Sequence, residues 1–384
     1  MTCRILGWGC VLAASAALAA PAPAGAPGST TPPAISPEER AIREAESFQD
    51  KIVEVVTRVR PSSVTIFNLA RQGNAFVTRG GGSGVIMSAT GQVLTNEHVI
   101  KDAAKLEVTL LDGRKVAATV EGRVPEYDIA LLQLRDEKGK PLSGLKPAAF
   151  GSTTGMREGD WVVATGNPFF LGSSGRAVVT LGVVSGLNRI VPGEFFYGNC
   201  LQHDAEINPG NSGGPLWDNQ GRLVGINGKI SSREAQLPGV PPKSSGVGFT
   251  IPVEQINNYM KRLVAAGSGG VQPGDLGVEV ETLKDDKGRE VGARITEIRA
   301  GSPAAAGKNP LQAGDVIECV TIKFKDYNVR TATDYTNVLS LWPEGTKLDK
   351  IQVKRDRMLR ILSGFVLGPA PKDDKADPKA QGRK

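Results

Sequence analysis

The sequence predicts a mainly β protein: a large all-β block followed by a small α+β domain. From Ser63 to about Ile251 the chain is a series of short β-branched runs punctuated by glycine, among them VTIFNL, KLEVTLL, IALLQL and DWVVATG, with turn signals at regular intervals. That texture reads as a barrel or sandwich, not as alternating strands and helices. A hinge of small residues, AAGSGGVQPGD, then separates this block from residues 275–367, a length that suits one small independent domain. With 40% apolar and 22% charged residues in 384, the composition fits a chain with more than one packed core.

The elements follow in order. Residues 1–20 read as an export signal: Arg4 supplies a positive charge, Val11 to Ala20 is an unbroken run of apolar and small residues, and Ala17 and Ala19 suit cleavage. That run is too short and alanine-rich for a membrane span, although an uncleaved signal would leave the chain membrane-associated. Residues 21–36 form an Ala/Pro/Gly-rich tether that cannot bury a core and is expected to be disordered. The folded block, residues 37–266, opens with a helix. Ser36 can cap it, Pro37 suits its first turn, and Glu39 can reach back to complete a capping box. Ile42, Phe48, Ile52, Val55, Val56 and Val59 recur at roughly helical spacing until Pro61 ends the segment. A short amphipathic helix, Val253 to Val264, closes the block, and the charged, proline-containing residues 368–384 read as a disordered tail.

Losing the signal would remove Cys3 and Cys10, leaving Cys200 and Cys319 far apart as two small buried thiols. The net charge of +6 is spread along the chain without a basic motif, which argues against a nucleic-acid partner.

Only two histidines are available for any histidine-dependent chemistry. His98 ends a strand-like run in VLTNEHVI; Asp128 opens the apolar strand YDIALLQL, where a buried carboxylate needs partners such as an imidazole N–H. Ser212 sits in INPGNSGGPLW, a turn contorted enough to aim backbone amides at the same place as its hydroxyl. A serine hydroxyl is a weak nucleophile, so a base must take its proton and a carboxylate must orient that base. The second histidine, His203, reads as structural, and no metal cluster accompanies it, so neither metal nor cofactor is expected.

The order His, Asp, Ser across an all-β block is that of chymotrypsin-like enzymes. With GSGVIM, LTNEHVI, YDIALLQL, VATGNPFFLG, VTLGVVSGL, INPGNSGGPL, LVGIN and GVGFTIP in family order, the chain resembles the HtrA (Deg-type) serine endopeptidases. The resemblance implies a chymotrypsin-like double six-stranded β-barrel followed by a PDZ domain. It makes His98 the general base, Asp128 the orienting carboxylate and Ser212 the nucleophile, with the amides of Gly210 and Ser212 as the oxyanion hole. It puts Ile207 and Ile230 beside the specificity pocket, favouring small or medium aliphatic residues before the scissile bond. Asn211 stands where digestive relatives carry an aspartate that pairs with a new amino terminus, so activation by chain cleavage is not expected.

Arg189 to Asn199, RIVPGEFFYGN, reads as a surface excursion whose aromatics form either a local core or an interaction site. Ser231 to Gly246 reads as a proline-rich loop beside the pocket. Further on, DLGVEV and ARITEIRAGSPAAAGKNPLQAGDVIECV resemble a PDZ domain, in which Leu276, Gly277 and Val278 would bind a peptide carboxylate and TATDYTNVLSLW would be the groove helix.

The resulting expectation is an exported serine endopeptidase of the periplasm or cell envelope that cleaves unfolded or misfolded proteins. C-terminal peptides would bind the PDZ domain, and the family implies a homotrimer using the segment around Phe48. The alternative reading is a peptide-binding chaperone or scaffold whose protease core is held inactive.

Overall fold

The computed structural model describes residues 36–167, 177–191, 195–230, 246–267, 270–306 and 309–371, the side chains of Lys229 and Ile230 excepted. The chain divides into a unit ending at Phe48 and a unit from Gln49 to Lys384. Of the first unit, the described part is the start of helix α1 (Pro37–Val59). Ser36 Oγ accepts from the Glu39 N–H at 3.0 Å, and Glu39 Oε2 accepts from the Ser36 N–H at 3.2 Å, so the expected capping box is formed. Ile42 and Phe48 are exposed on this stretch.

The second unit contains two closed six-stranded antiparallel barrels. Strands β1 (Ser63–Gln72), β2 (Ala75–Ile86), β3 (Gln92–Thr95), β4 (Lys105–Thr109), β5 (Lys115–Val124) and β6 (Ile129–Arg135) close in the order β1-β2-β3-β6-β5-β4. Strands β7 (Trp161–Gly166), β8 (Val178–Val191), β9 (Tyr197–His203), β10 (Pro215–Asp218), β11 (Leu223–Ile230) and β12 (Gly248–Pro252) close in the order β10-β11-β12-β9-β8-β7. The same crossover appears in each barrel.

Strand β6 explains why its sequence, IALLQL, is apolar almost without interruption. Successive strand residues face opposite sides. Ala130, Leu132 and Leu134 fill the first barrel, while Ile129 and Leu131 join a cluster at the seam with Trp217 and Ile226 of the second. The same seam takes in Val55 and Val59 from the end of α1, and Ile256 and Tyr259 from helix α3 (Val253–Ala266).

The C-terminal part has its own core, including Leu276, Ile317, Val320, Tyr335 and Ile351. A sheet runs β14 (Val278–Lys284), β15 (Glu290–Ile298), β16 (Val316–Ile322), β18 (Lys350–Arg355), β19 (Met358–Leu362), with β17 (Lys325–Asn328) also paired to β16. Helix α4 (Ala332–Ser340) starts at Thr331, which forms a capping box with Asp334. The two-residue strands β13 (Gly274–Asp275) and β20 (Gly368–Pro369) pair, so the folded part extends past Leu367, where the tail was expected to begin.

The expected flexible hinge is also corrected. Residues 268 and 269 lie outside the described residues, but Val271 is buried and donates its N–H to the Arg123 carbonyl at 2.8 Å. Beyond it, the chain is fastened by α3. The carbonyls of Ser340, Leu341, Trp342 and Glu344 follow or end α4, where a helix leaves acceptors without partners. They accept from Gln255 (3.1 Å), Asn258 (2.9 Å), Tyr259 (2.9 Å) and Arg262. Those donors stand at i, i+3, i+4 and i+7 of α3, one helical face. Asn337 of α4 adds a second fastening: its Oδ1 accepts from the Asn199 N–H at 2.8 Å, and its Nδ2 donates to the Asn188 carbonyl at 3.0 Å. Among the described residues no helix is long and apolar enough to cross a membrane.

Candidate active site

Asp128 follows a short helical turn, Pro125–Tyr127, and takes the left-handed conformation (φ 55°) that points its fully buried side chain back toward the seam. Its carboxylate accepts three hydrogen bonds. Oδ1 takes the His98 backbone N–H at 2.9 Å; Oδ2 takes His98 Nδ1 at 2.7 Å and the Tyr197 hydroxyl at 2.5 Å. Asn96 Nδ2 holds the Asp128 carbonyl at 2.9 Å. A buried carboxylate is stable as an anion only when donors replace its lost water, and three do so here. His98 lies on the short helix α2 (Glu97–Ile100) at the end of β3, with its side chain 34% exposed and its Nε2 without a partner among the described residues. An imidazole so held donates through Nδ1 and offers Nε2 as a base.

Ser212 belongs to the turn leading into β10. Its Oγ donates to the Gly228 carbonyl at 3.3 Å and makes no hydrogen bond to His98. The serine hydroxyl is thus engaged by a main-chain carbonyl, which it must leave before a base can take its proton. Gly210 has φ 105°, a region closed to most side chains. Among the described residues neither the Gly210 nor the Ser212 N–H is taken by a protein acceptor.

The turn is held from the first barrel by a residue that sequence reasoning missed. Ser83 of β2, fully buried, donates its N–H to the Ser212 carbonyl at 2.8 Å and its hydroxyl to the Gly210 carbonyl at 2.6 Å. The Asn167 N–H in turn donates to that hydroxyl at 2.9 Å. Close approach requires glycine here: a Cβ on Gly213 would lie 2.2 Å from Thr95 Oγ1, and one on Gly82 would lie 2.7 Å from the Ser212 carbonyl oxygen. Tyr197 was also missed as a site residue, because it was read only as one of three aromatics on an excursion. The excursion is shorter than expected: Arg189–Val191 end β8, Tyr197–Asn199 begin β9, and 192–194 lie outside the described residues. Phe195 and Phe196 pack against the seam core, so these rings form a local core.

Glu97, beside His98, is buried with Arg123 Nη1 at 3.3 Å. Burial raises its pKa above the usual carboxylate range, and the arginine opposes this only in part. His203 is fully buried and shares a hydrogen bond with Thr250 Oγ1 at 3.1 Å; burial lowers its pKa to about 4, so it is neutral at pH 7 and has the structural character its sequence context implied. Cys200 and Cys319 are free and buried.

Ile207 is buried in the second barrel among Leu201, Leu216 and Val224, and the Ile230 side chain lies outside the described residues. The loop 231–245 lies there as well. Leu276 is buried in the C-terminal core, Gly277 has φ 81° against Ser302, and Val278 begins β14. Among the described residues no group of histidine, cysteine and carboxylate side chains could hold a metal ion.

Two closed six-stranded antiparallel barrels, with a hydrogen-bonded histidine and carboxylate on the first and a glycine-framed serine on the second, have the architecture of the chymotrypsin-like class. Residues 82–226 match the family model of the trypsin-like peptidase domain. The chain is 33% identical over 301 residues to a probable periplasmic serine endoprotease DegP-like of Chlamydia pneumoniae, covering 76% of this chain and 56% of that one. It is 37% identical over 300 residues to the serine protease PepD of Mycobacterium tuberculosis, covering 74% and 60%. The solved structure of the HtrA-type protease AlgW with tripeptide is 33% identical, superposes with a TM-score of 0.63, and is covered over 98% of its length by 83% of this chain. The chain belongs to the HtrA-type serine protease family. It spans a little over half the length of the curated relatives it matches.

Proposed function

We propose that the chain is an exported serine endopeptidase that cleaves unfolded polypeptides through an acyl-enzyme. His98 Nε2 takes the Ser212 proton as Oγ attacks the scissile carbonyl, and later gives it to the leaving amine. Asp128 holds the imidazole in the required tautomer and stabilises the imidazolium. The free amides of Gly210 and Ser212 receive the oxyanion. The single observation that carries this reading is the buried Asp128 carboxylate saturated by three donors, with His98 Nδ1 at 2.7 Å. Ile207 and Ile230 beside the substrate pocket, a PDZ role for residues 275–367 with a carboxylate loop at Leu276–Val278, C-terminal peptides as its ligands, and a homotrimer formed through the segment around Phe48 complete the proposal. The names of the relatives support a periplasmic or envelope location.

One observation favours a second reading, a chaperone or scaffold with a resting core: the Ser212 hydroxyl donates to the Gly228 carbonyl and makes no hydrogen bond to His98. Cleavage of an unfolded casein substrate by the purified chain, beside its Ser212→Ala variant, decides between them. Cleavage that depends on Ser212 supports the endopeptidase. Failure of both proteins to cleave, with hydrophobic C-terminal peptides added, supports the scaffold.

A further inference from the structure

The β16–β17 hairpin turns on Lys323 and Phe324, both in the left-handed region, with φ 50° and 62°. A two-residue turn of this kind favours asparagine and glycine, and a bulky aromatic side chain there carries a steric penalty. Folding recovers nothing for it, because Phe324 is 94% exposed at the tip. An aromatic ring placed where it gains no burial in its own fold is suited to gaining burial elsewhere.

Its surroundings specify what that elsewhere is. Behind the tip lies a cleft of about 490 Å³ between the hairpin and α3, lined by Lys261, Arg262, Lys323 and Lys347 over a floor of Trp342. Among the described residues none of these four cations has a carboxylate within ion-pair distance: Arg262 donates to a main-chain carbonyl, and Lys323 Nζ stands 4.6 Å above the Trp342 ring. Lys325, the next residue after the tip, stands over Tyr327. One acid, Asp349, also lines the cleft and accepts the Phe324 N–H at 2.8 Å, so the four basic lining side chains outnumber it; Asp326 is paired with Lys350. The indole Nε1–H of Trp342 has no acceptor among the described residues. The surface therefore combines a protruding ring, a girdle with cations in excess and a buried donor.

We infer that this hairpin tip docks on an anionic lipid surface, Phe324 entering the boundary between headgroups and acyl chains while Lys261, Arg262, Lys323, Lys325 and Lys347 meet the lipid phosphates. The convex tip fits a bilayer better than a folded partner, which would need a concavity to receive the ring. Interfacial aromatics and juxtaposed basic residues are the two components of such binding, apolar entry and attraction to anionic lipid.

The test uses the full-length chain and its Phe324→Trp variant with vesicles of phosphatidylcholine alone or mixed with phosphatidylglycerol, each with and without brominated acyl chains. The indole added by Phe324→Trp is expected to be quenched by brominated lipid in phosphatidylglycerol vesicles at low salt, and to lose that quenching at high salt. Phosphatidylcholine vesicles should give none. In co-sedimentation, Phe324→Ala should weaken partitioning about 10-fold or more, and Lys323→Gln or Lys347→Gln about 5-fold each, with the chain's other activities unchanged. Sedimentation with vesicles while the added indole stays unquenched would assign binding to another segment and overturn the inference. So would equal binding to phosphatidylcholine, or saturable binding of the tip to an acidic polyglutamate peptide without vesicle binding.

Discussion

Replacing Tyr197 by phenylalanine removes one oxygen from the site and nothing from the packing: the edge-on contact with Phe195, ring centres 6.5 Å apart, is retained. What is lost is the 2.5 Å hydrogen bond to Asp128 Oδ2. A hydrogen bond to a charged group contributes roughly 1.5 to 3 kcal/mol. Asp128 is fully buried, so water has poor access to replace the phenol. Two of the three donors to Asp128 then remain, both from His98, and the carboxylate that orients the imidazole loses its third anchor. With about 2 kcal/mol of orientation lost, kcat should fall roughly 30-fold, while KM should hold because Tyr197 is buried beneath the site. Steady-state cleavage of a chromogenic peptide measures both. A Tyr197→Phe variant with kcat within two-fold would refute the role assigned to the phenol.

Ser83→Ala should remove the hydroxyl that bonds the Gly210 carbonyl and lower kcat about 10- to 100-fold at nearly constant KM, measured by the same assay. Asn337→Leu leaves two polar groups of the second barrel unpaired at the joint with α4, a loss of about 2 kcal/mol that should appear as earlier proteolytic release of the C-terminal domain. His203 favours its neutral form in the fold: its contribution is full above the unfolded value of 6.5 and is lost as pH falls toward about 4, roughly 3 kcal/mol over that window. Urea unfolding at pH 7.5, 5.5 and 4.5 should therefore show a steeper acid loss for the native chain than for His203→Gln.

The barrels were legible because their signal is local: β-branched runs such as IALLQL and turns such as PGNSGG carry period and backbone geometry within a few residues. His98, Asp128 and Ser212 were singled out for a similar reason, each standing in a short motif in a fixed order. Ser83 and Tyr197 were not, since their importance lies wholly in partners more than 60 positions away. Nothing in GSGVIM says which serine oxygen will meet the Gly210 carbonyl, and nothing in EFFYGN separates the ring that reaches Asp128 from the two that only pack. The hinge was misjudged on composition. AAGSGGVQPGD is permissive in isolation, yet Val271 finds both a pocket and an acceptor on Arg123 once α3 has brought the two domains together.

The joint with α4 gives the resting serine a physical context. Strand β9 begins with the tyrosine bonded to Asp128 and, two residues on, Asn199 is bonded through main chain and side chain to α4. Asn199 is also in the left-handed conformation, φ 53°, a backbone state that asparagine tolerates but that still requires its surroundings to hold it. A shift of α4 that released Asn337 would remove that hold, and relaxation of Asn199 would rotate the peptides leading back to Tyr197. The donor at Asp128 and the fastening of the C-terminal domain therefore share one short segment of backbone. A perturbation at either end must be felt at the other, so Asn337→Leu and Tyr197→Phe should combine less than additively in kcat. Full additivity of the two losses would mean that β9 does not transmit strain and that the joint serves only to hold the domains in place.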